Sequence, residues 1–177
     1  MSEVRLRKLK IEDADNMLEW MHDEEIQRNF RMNTLHKTKQ DVMEFISDST
    51  IVAVNGGSIH FAITDEEDEY LGTISLKEID LQAHNAEYAI CLRKKAQGQG
   101  IAKAATKLIL EEAFDKLELE RVYLNVLSEN ERAIKLYQSC GFQYEGEFRK
   151  HLFLRGKYRN LKWFAILKDE YKAKYCN

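Results

Sequence analysis

The sequence predicts one mixed α/β domain, and three observations carry that prediction. Residues 86–92 alternate like a buried strand, and residues 102–117 then place Ala104, Ala105, Leu108, Ile109, Ala113 and Leu117 at helical spacing. The pattern repeats downstream: 121–127 is a strongly apolar strand with Asn125 inside it, and 130–141 reads as a helix. Finally, the 177 residues contain no proline, no low-complexity tract and no change of composition that would mark a linker. A chain of this size buries roughly two-thirds of its unfolded surface as one unit.

The other elements follow in order. Residues 4–9 alternate apolar and basic side chains and read as an opening strand. Asp13 stands where it would cap a helix carrying Met17, Leu18 and Met21, and a second helix is expected over 39–46 with Val42, Phe45 and Ile46 inward. The run 51–54 suits a short strand or loop packing before the turn Asn55-Gly56-Gly57-Ser58. Residues 58–64 and 70–76 read as strands joined by the acidic turn 65–69. Its acids follow one another without the alternation and central glycine of a calcium loop, so a solvated hairpin is expected and no metal site. Asn130 is placed to cap the later helix and Gly141 to end it. Beyond it, 142–148, 151–154 and 162–167 read as strands with Arg155-Gly156-Lys157 as a turn, and the tail from Lys168 is polar.

Composition narrows the function. The formal net charge is −3 with both signs interspersed, which implies no general affinity for nucleic acid or an anionic membrane. Cys91, Cys140 and Cys176 are odd in number and lack metal-ligand spacing, and Cys91 in an apolar strand and Cys140 at the end of a helix are expected to be buried thiols rather than disulfide partners. With no signal-peptide pattern and no apolar run of membrane length, a cytoplasmic location is expected.

The informative stretch is Gln97-Gly98-Gln99-Gly100-Ile101-Ala102, at a strand-to-helix turn. Its glycines admit backbone conformations closed to other residues and let a ligand approach. The first amides of the following helix lack internal partners, and with the helix dipole they form an anion site. The spacing Gly98-x-Gly100-x-x-Lys103 lacks the third glycine of a dinucleotide turn, and no Gly-Lys-Ser or Gly-Lys-Thr provides a triphosphate loop.

The remaining pattern, Gln-x-x-Gly-x-Ala, resembles the pyrophosphate loop of the GNAT superfamily of acetyl-CoA-dependent N-acetyltransferases. Asn130-x-x-Ala133-x-x-Leu136-Tyr137-x-x-x-Gly141-Phe142 resembles the second signature of that superfamily and follows in the right order. The resemblance covers the whole chain, most tightly 87–142. The stretch from Glu145 resembles the branch acting on ribosomal-protein N-termini, spermidine or nucleotide-linked amino sugars, in which an isologous dimer is common.

What the resemblance implies is a central, partly splayed sheet of about six or seven strands flanked by helices. It implies acetyl-CoA as co-substrate, with its diphosphate on backbone amides of Gln99, Gly100, Ile101, Ala102 and Lys103, beside Gly98 and with Gln97 at the loop mouth. It also implies that the pantetheine arm pairs with backbone around Ile90, Cys91 and Leu92. Acetyl transfer by direct attack in a ternary complex needs a neutral amine, a stabilised thioester oxygen and a proton for the thiolate. Tyr137 is the expected acid. Asn130 lies seven residues away on the same helix, roughly 10 Å along the axis, which suits the pantetheine amide region. Glu87 is the expected base: its alternation partners Ala89 and Cys91 would desolvate it and raise its pKa, while a surface pair with Arg93 or Lys94 explains it almost as well. His151 and Glu24 are weaker candidates for handling the acceptor.

The expected acceptor is an amino sugar or its nucleotide conjugate, on the strength of the aromatic and acidic segment 20–25. A polyamine and a peptide N-terminus are the alternatives. A non-catalytic acyl-CoA-binding sensor is the alternative of another class.

Overall fold

The computed structural model describes residues 3–176. Seven strands form one sheet in the order β1-β2-β3-β4-β5-β7-β6. They are β1 (Arg5–Lys8), β2 (Ile59–Thr64), β3 (Tyr70–Asp80), β4 (Asn85–Leu92), β5 (Arg121–Leu127), β6 (Gln143–Leu154) and β7 (Lys157–Leu167). All neighbours are antiparallel except β4 and β5. That parallel pair holds for three positions only, Asn85 with Arg121, Ala86 with Val122 and Glu87 with Tyr123. Beyond Glu87 the strands part, so a right-twisted sheet opens in its middle.

Each face buries its own apolar stripe. On one side α4 (Ile101–Glu111) sets Ile101, Ala105, Ile109 and Leu110 against Ile74, Leu76, Ala86 and Tyr88. Tyr88 donates its hydroxyl to Thr106 Oγ1 at 2.8 Å, since that threonine already donates to Ala102 O at 2.6 Å. On the other side α1 (Ala14–Met21) and α3 (Lys39–Asp48) cover β2 and β3 with Met17, Trp20, Val42 and Ile46. Gly72 sets the distance between β3 and β4: a Cβ there would lie 2.3 Å from Cys91 O and 2.7 Å from Leu92 Cδ2, so no larger residue fits.

Several expectations change. Asp13 gives α1 no side-chain cap. It accepts two guanidinium bonds from Arg7 at 2.8 and 2.9 Å, and one from the Lys10 N–H. Residues 51–54 form no strand, and Ile51, Val52 and Val54 are exposed. The acidic turn is not simply solvated, because Asp68 pairs with Arg7 and Lys10, and Glu69 with Arg93 and Lys95. The two short strands expected after Gly141 are one, β6, whose register against β7 shifts between Phe148 and Leu152. Residues from Lys168 form α6 (Lys168–Tyr175), which docks Tyr171 in the core. Cys91, Cys140 and Cys176 are free thiols. Among the described residues no helix is long and apolar enough to cross a membrane, and no cluster of metal-ligating side chains forms.

Phe45 turns outward from α3, with its ring edge on His60 at 4.9 Å. Burial, with Lys77 nearby, holds His60 below the usual histidine range, while a Ser75 hydroxyl lies 2.7 Å from Nδ1. The unfolded chain therefore takes up this proton before the folded one does, so stability falls as pH drops through the unperturbed histidine value of about 6.5. Thermal midpoints measured from pH 7.5 down to 5 are expected to fall less in His60→Gln than in the parent protein.

Candidate active site

The backbone turns sharply after β4. The Arg93 N–H closes the ladder on Leu71 O at 2.9 Å, and its guanidinium donates to Tyr70 O at 3.0 Å and to Glu69 at 3.1 Å, with Glu19 on its other edge. After the single turn Lys94–Ala96, Gly98 and Gly100 both adopt φ +79. Gly100 is the N-cap of α4, and the first amide committed within the helix is that of Ala104, which donates to Gly100 O at 3.1 Å. The amides of Ile101, Ala102 and Lys103 therefore stand at the positive end of α4 without backbone acceptors among the described residues. Gln97 is a brace: its amide donates to Leu92 O at 3.2 Å and accepts from Arg132 at 2.9 Å. Gln99 likewise ties back to Lys95 O at 2.6 Å.

The separation of β4 from β5 makes a cavity of about 570 Å³ that reaches from this loop to Glu87. Antiparallel ladders alternate the direction of backbone groups. Because Arg93 faces β3, the backbones of Leu92, Ile90 and Tyr88 face the gap, whereas that of Cys91 belongs to the β3 ladder. Cys91 presents its side chain among the α1 and α3 residues, where burial pushes its thiol well above the usual range.

From the far wall, α5 (Glu131–Ser139) contributes Tyr137. Its ring stands edge-on to Tyr88 and Phe142, with centroids 5.8 and 6.1 Å away. No side chain or backbone group among the described residues hydrogen-bonds its hydroxyl, and burial pushes the phenol well above its ordinary value. Asn130 caps α5, accepting from Ala133 N at 3.2 Å, and it also lines the cavity.

Glu87 closes the cavity where the strands part, 9% exposed. Its surroundings are polar where apolar neighbours were expected. Arg31 Nη2 and Asn125 Nδ2 donate to Oε1 at 2.8 and 3.3 Å, and Lys77 Nζ lies 3.4 Å from Oε2. Neither suggested surface partner reaches it, since Arg93 is held as above and Lys94 pairs with Glu25 at 2.6 Å. Of the weaker candidates, His151 sits on β6 against Phe148 and Glu24 lies off the cavity wall, whereas Glu25 lines it. The acidic–aromatic segment is also taken apart: Trp20 is buried on the Tyr70 hydroxyl at 3.0 Å, and Asp23 caps α2 (Glu24–Gln27).

Arg31, Lys77 and Asn125 escaped the sequence reading as site residues. Lys77 carried a readable signal, because it faces Glu87 directly once the β3–β4 register is drawn. Arg31 carried none, arriving from a segment with no regular structure.

Residues 3–143 match the model of the acetyltransferase (GNAT) domain. The chain is 33% identical over 111 residues to spermidine N(1)-acetyltransferase of Vibrio cholerae, covering 63% of this chain and 64% of that protein. It is 35% identical over 113 residues to the Escherichia coli K12 protein of the same name, covering 64% and 61%. The alignment thus spans less than two-thirds of the length of either. Against an uncharacterized N-acetyltransferase p20 of Bacillus licheniformis identity is 31% over 171 residues, covering 95% and 94%. The crystal structure of Vibrio cholerae spermidine N-acetyltransferase with CoA and spermine superposes with a TM-score of 0.85 at 26% identity, covering 95% of this chain and 97% of that one. Two ordered motifs, a sheet parted at Glu87 and a family match over 3–143 agree. The chain belongs to the GNAT acetyltransferase family.

Proposed function

We propose that this protein transfers acetyl from acetyl-CoA to a primary amine, and that a polyamine is its acceptor. The observation that carries the proposal is the gap between β4 and β5, with free helix amides at one end and a carboxylate at the other. The residues present fit the co-substrate. The amides of Ile101, Ala102 and Lys103 and the positive end of α4 suit a diphosphate, and the gap-facing backbone of Ile90 and Leu92 suits an extended amide-bearing arm.

Acetyl-CoA supplies an acyl group activated as a thioester. The residues divide the remaining work. A gap-facing N–H from β4 would face the thioester oxygen as charge gathers there. The Tyr137 hydroxyl, kept protonated by its burial, holds a proton for the departing sulfur. Glu87, oriented by Asn125 and Lys77, is placed to take a proton from the amine, directly or through water. Asn130 keeps its Oδ1 on the helix, which leaves its Nδ2 for the arm.

The amino-sugar expectation rested on the segment 20–25, now divided between core, cap and cavity. Polyamine specificity is supported instead by the two similar spermidine N(1)-acetyltransferases. Two carboxylates, Glu25 and Glu87, line the cavity and suit a substrate with more than one ammonium group. The test is thiol release from acetyl-CoA with spermidine, spermine, glucosamine and a short peptide. Spermidine is expected to give release, and Glu87→Gln to lower kcat by about 100-fold. Release with glucosamine and none with either polyamine would overturn the acceptor. Binding of the co-substrate without release to any amine would favour the sensor.

A further inference from the structure

Arg31 holds the carboxylate that the amine needs. It comes from residues 28–38, between α2 and α3, and that segment is fixed on both sides of it. Phe30 packs on Trp20 with ring centroids 5.4 Å apart. Buried Thr34 donates its N–H to Gln27 Oε1 at 3.2 Å and its hydroxyl to Met21 O at 3.0 Å. Between these anchors the Arg31 side chain reaches Glu87 at 2.8 Å.

The two partners differ in freedom. The Glu87 side chain is 12% exposed and sits on a central strand, whereas that of Arg31 is 36% exposed on a long flexible stem. Among the described residues no other carboxylate pairs with Arg31. Lys77 lies directly opposite Glu87 in the β3–β4 ladder. The cluster thus sets two cations against one carboxylate. A third, the ammonium of an incoming amine, would meet a surplus of positive charge unless one cation left. Arg31 and Lys77 are both partly exposed, 36% and 30%, but Lys77 stands on a central strand directly opposite Glu87, whereas Arg31 comes from a segment without regular structure and is the one freer to leave.

We propose that the Arg31 guanidinium occupies the acceptor's ammonium subsite, and that an amine binds by replacing it on Glu87. The exchange conserves charge at the carboxylate, with Lys77 and one further cation before and after. Arg31 is then a specificity-determining residue: it sets a threshold that only a cationic group able to reach Glu87 can pass. The inference rests on the reading of the cavity as an amine site, which it deepens.

The test is calorimetry on the protein without co-substrate, with spermidine and butylamine as probes. Arg31→Ala and Arg31→Gln are each expected to bind both amines about two- to fivefold more tightly, the worth of a partly exposed ion pair, and Arg31→Lys to stay near the parent value. In a Glu87→Gln background Arg31→Ala is expected to bring no gain, because no carboxylate remains to be freed. Weaker amine binding in Arg31→Ala would overturn the proposal, as would equal tightening with and without Glu87, which would mark a general field effect. Acetylation of an amine by the parent protein without tightening in either Arg31 variant overturns the exchange and leaves the proposed function standing. Glu87-dependent tightening with no acetylation of any amine does the reverse.

Discussion

Tyr137→Phe is expected to lower kcat by about 100-fold while leaving acetyl-CoA affinity within about twofold, because it removes one proton donor and nothing else. The phenylalanine ring keeps both edge contacts, to Tyr88 and Phe142, so the wall of the cavity stays in place. The pH profile adds an independent check. Burial pushes the phenol well above its ordinary value of about 10, so the protonated donor persists as pH rises through 9 and 10. Deprotonation of the acceptor over the same range favours attack. The kcat of the parent protein is therefore expected to rise or stay level across that range. Unchanged turnover in Tyr137→Phe would remove the residue from the mechanism.

Gly100→Val is expected to weaken CoA binding by about tenfold or more and to lower the thermal midpoint by several degrees. A β-branched residue at φ +79 is strained by about 1–2 kcal/mol, and Gly100 is the N-cap of α4, immediately before the amides of Ile101 to Lys103, so the strain falls on the turn that sets those amides. Gly98→Ala provides the comparison. Its φ is the same, yet a Cβ there meets nothing within 4 Å, so it carries backbone strain without crowding. A smaller loss of affinity is expected, and both are read by calorimetric titration with CoA. Equal affinities in parent and Gly100→Val would place the diphosphate elsewhere.

The legible parts of this fold were those in which period, cap and turn agree. β4, the glycine turn and α4 follow from a strand alternation, two glycines and a helical stripe. Asn130 and Gly141, the latter at φ +99, bracket α5 as their chemistry suggests. The unreadable parts have physical causes. α6 is dominated by charge, and two tyrosines, Tyr171 and Tyr175, anchor it, so no apolar stripe announces it. Residues 51–54 are apolar, yet only Ala53 packs against the core while Ile51, Val52 and Val54 are exposed, so hydrophobicity pointed to a strand that does not form. The surroundings of Glu87 depend on residues 56 and 38 positions away, Arg31 and Asn125, and no local period encodes such meetings. Asp13 could be read as a cap because nothing local to it reveals the arginine side chain from β1 that claims both its oxygens.

A crystal structure with bound CoA tests whether the turn after β4 holds the co-substrate. The diphosphate is expected on the backbone amides between Gln99 and Lys103, the arm between β4 and β5, and the thiol within hydrogen-bonding reach of the Tyr137 hydroxyl. Phosphates bound away from that turn, or a thiol directed away from Tyr137, would contradict it.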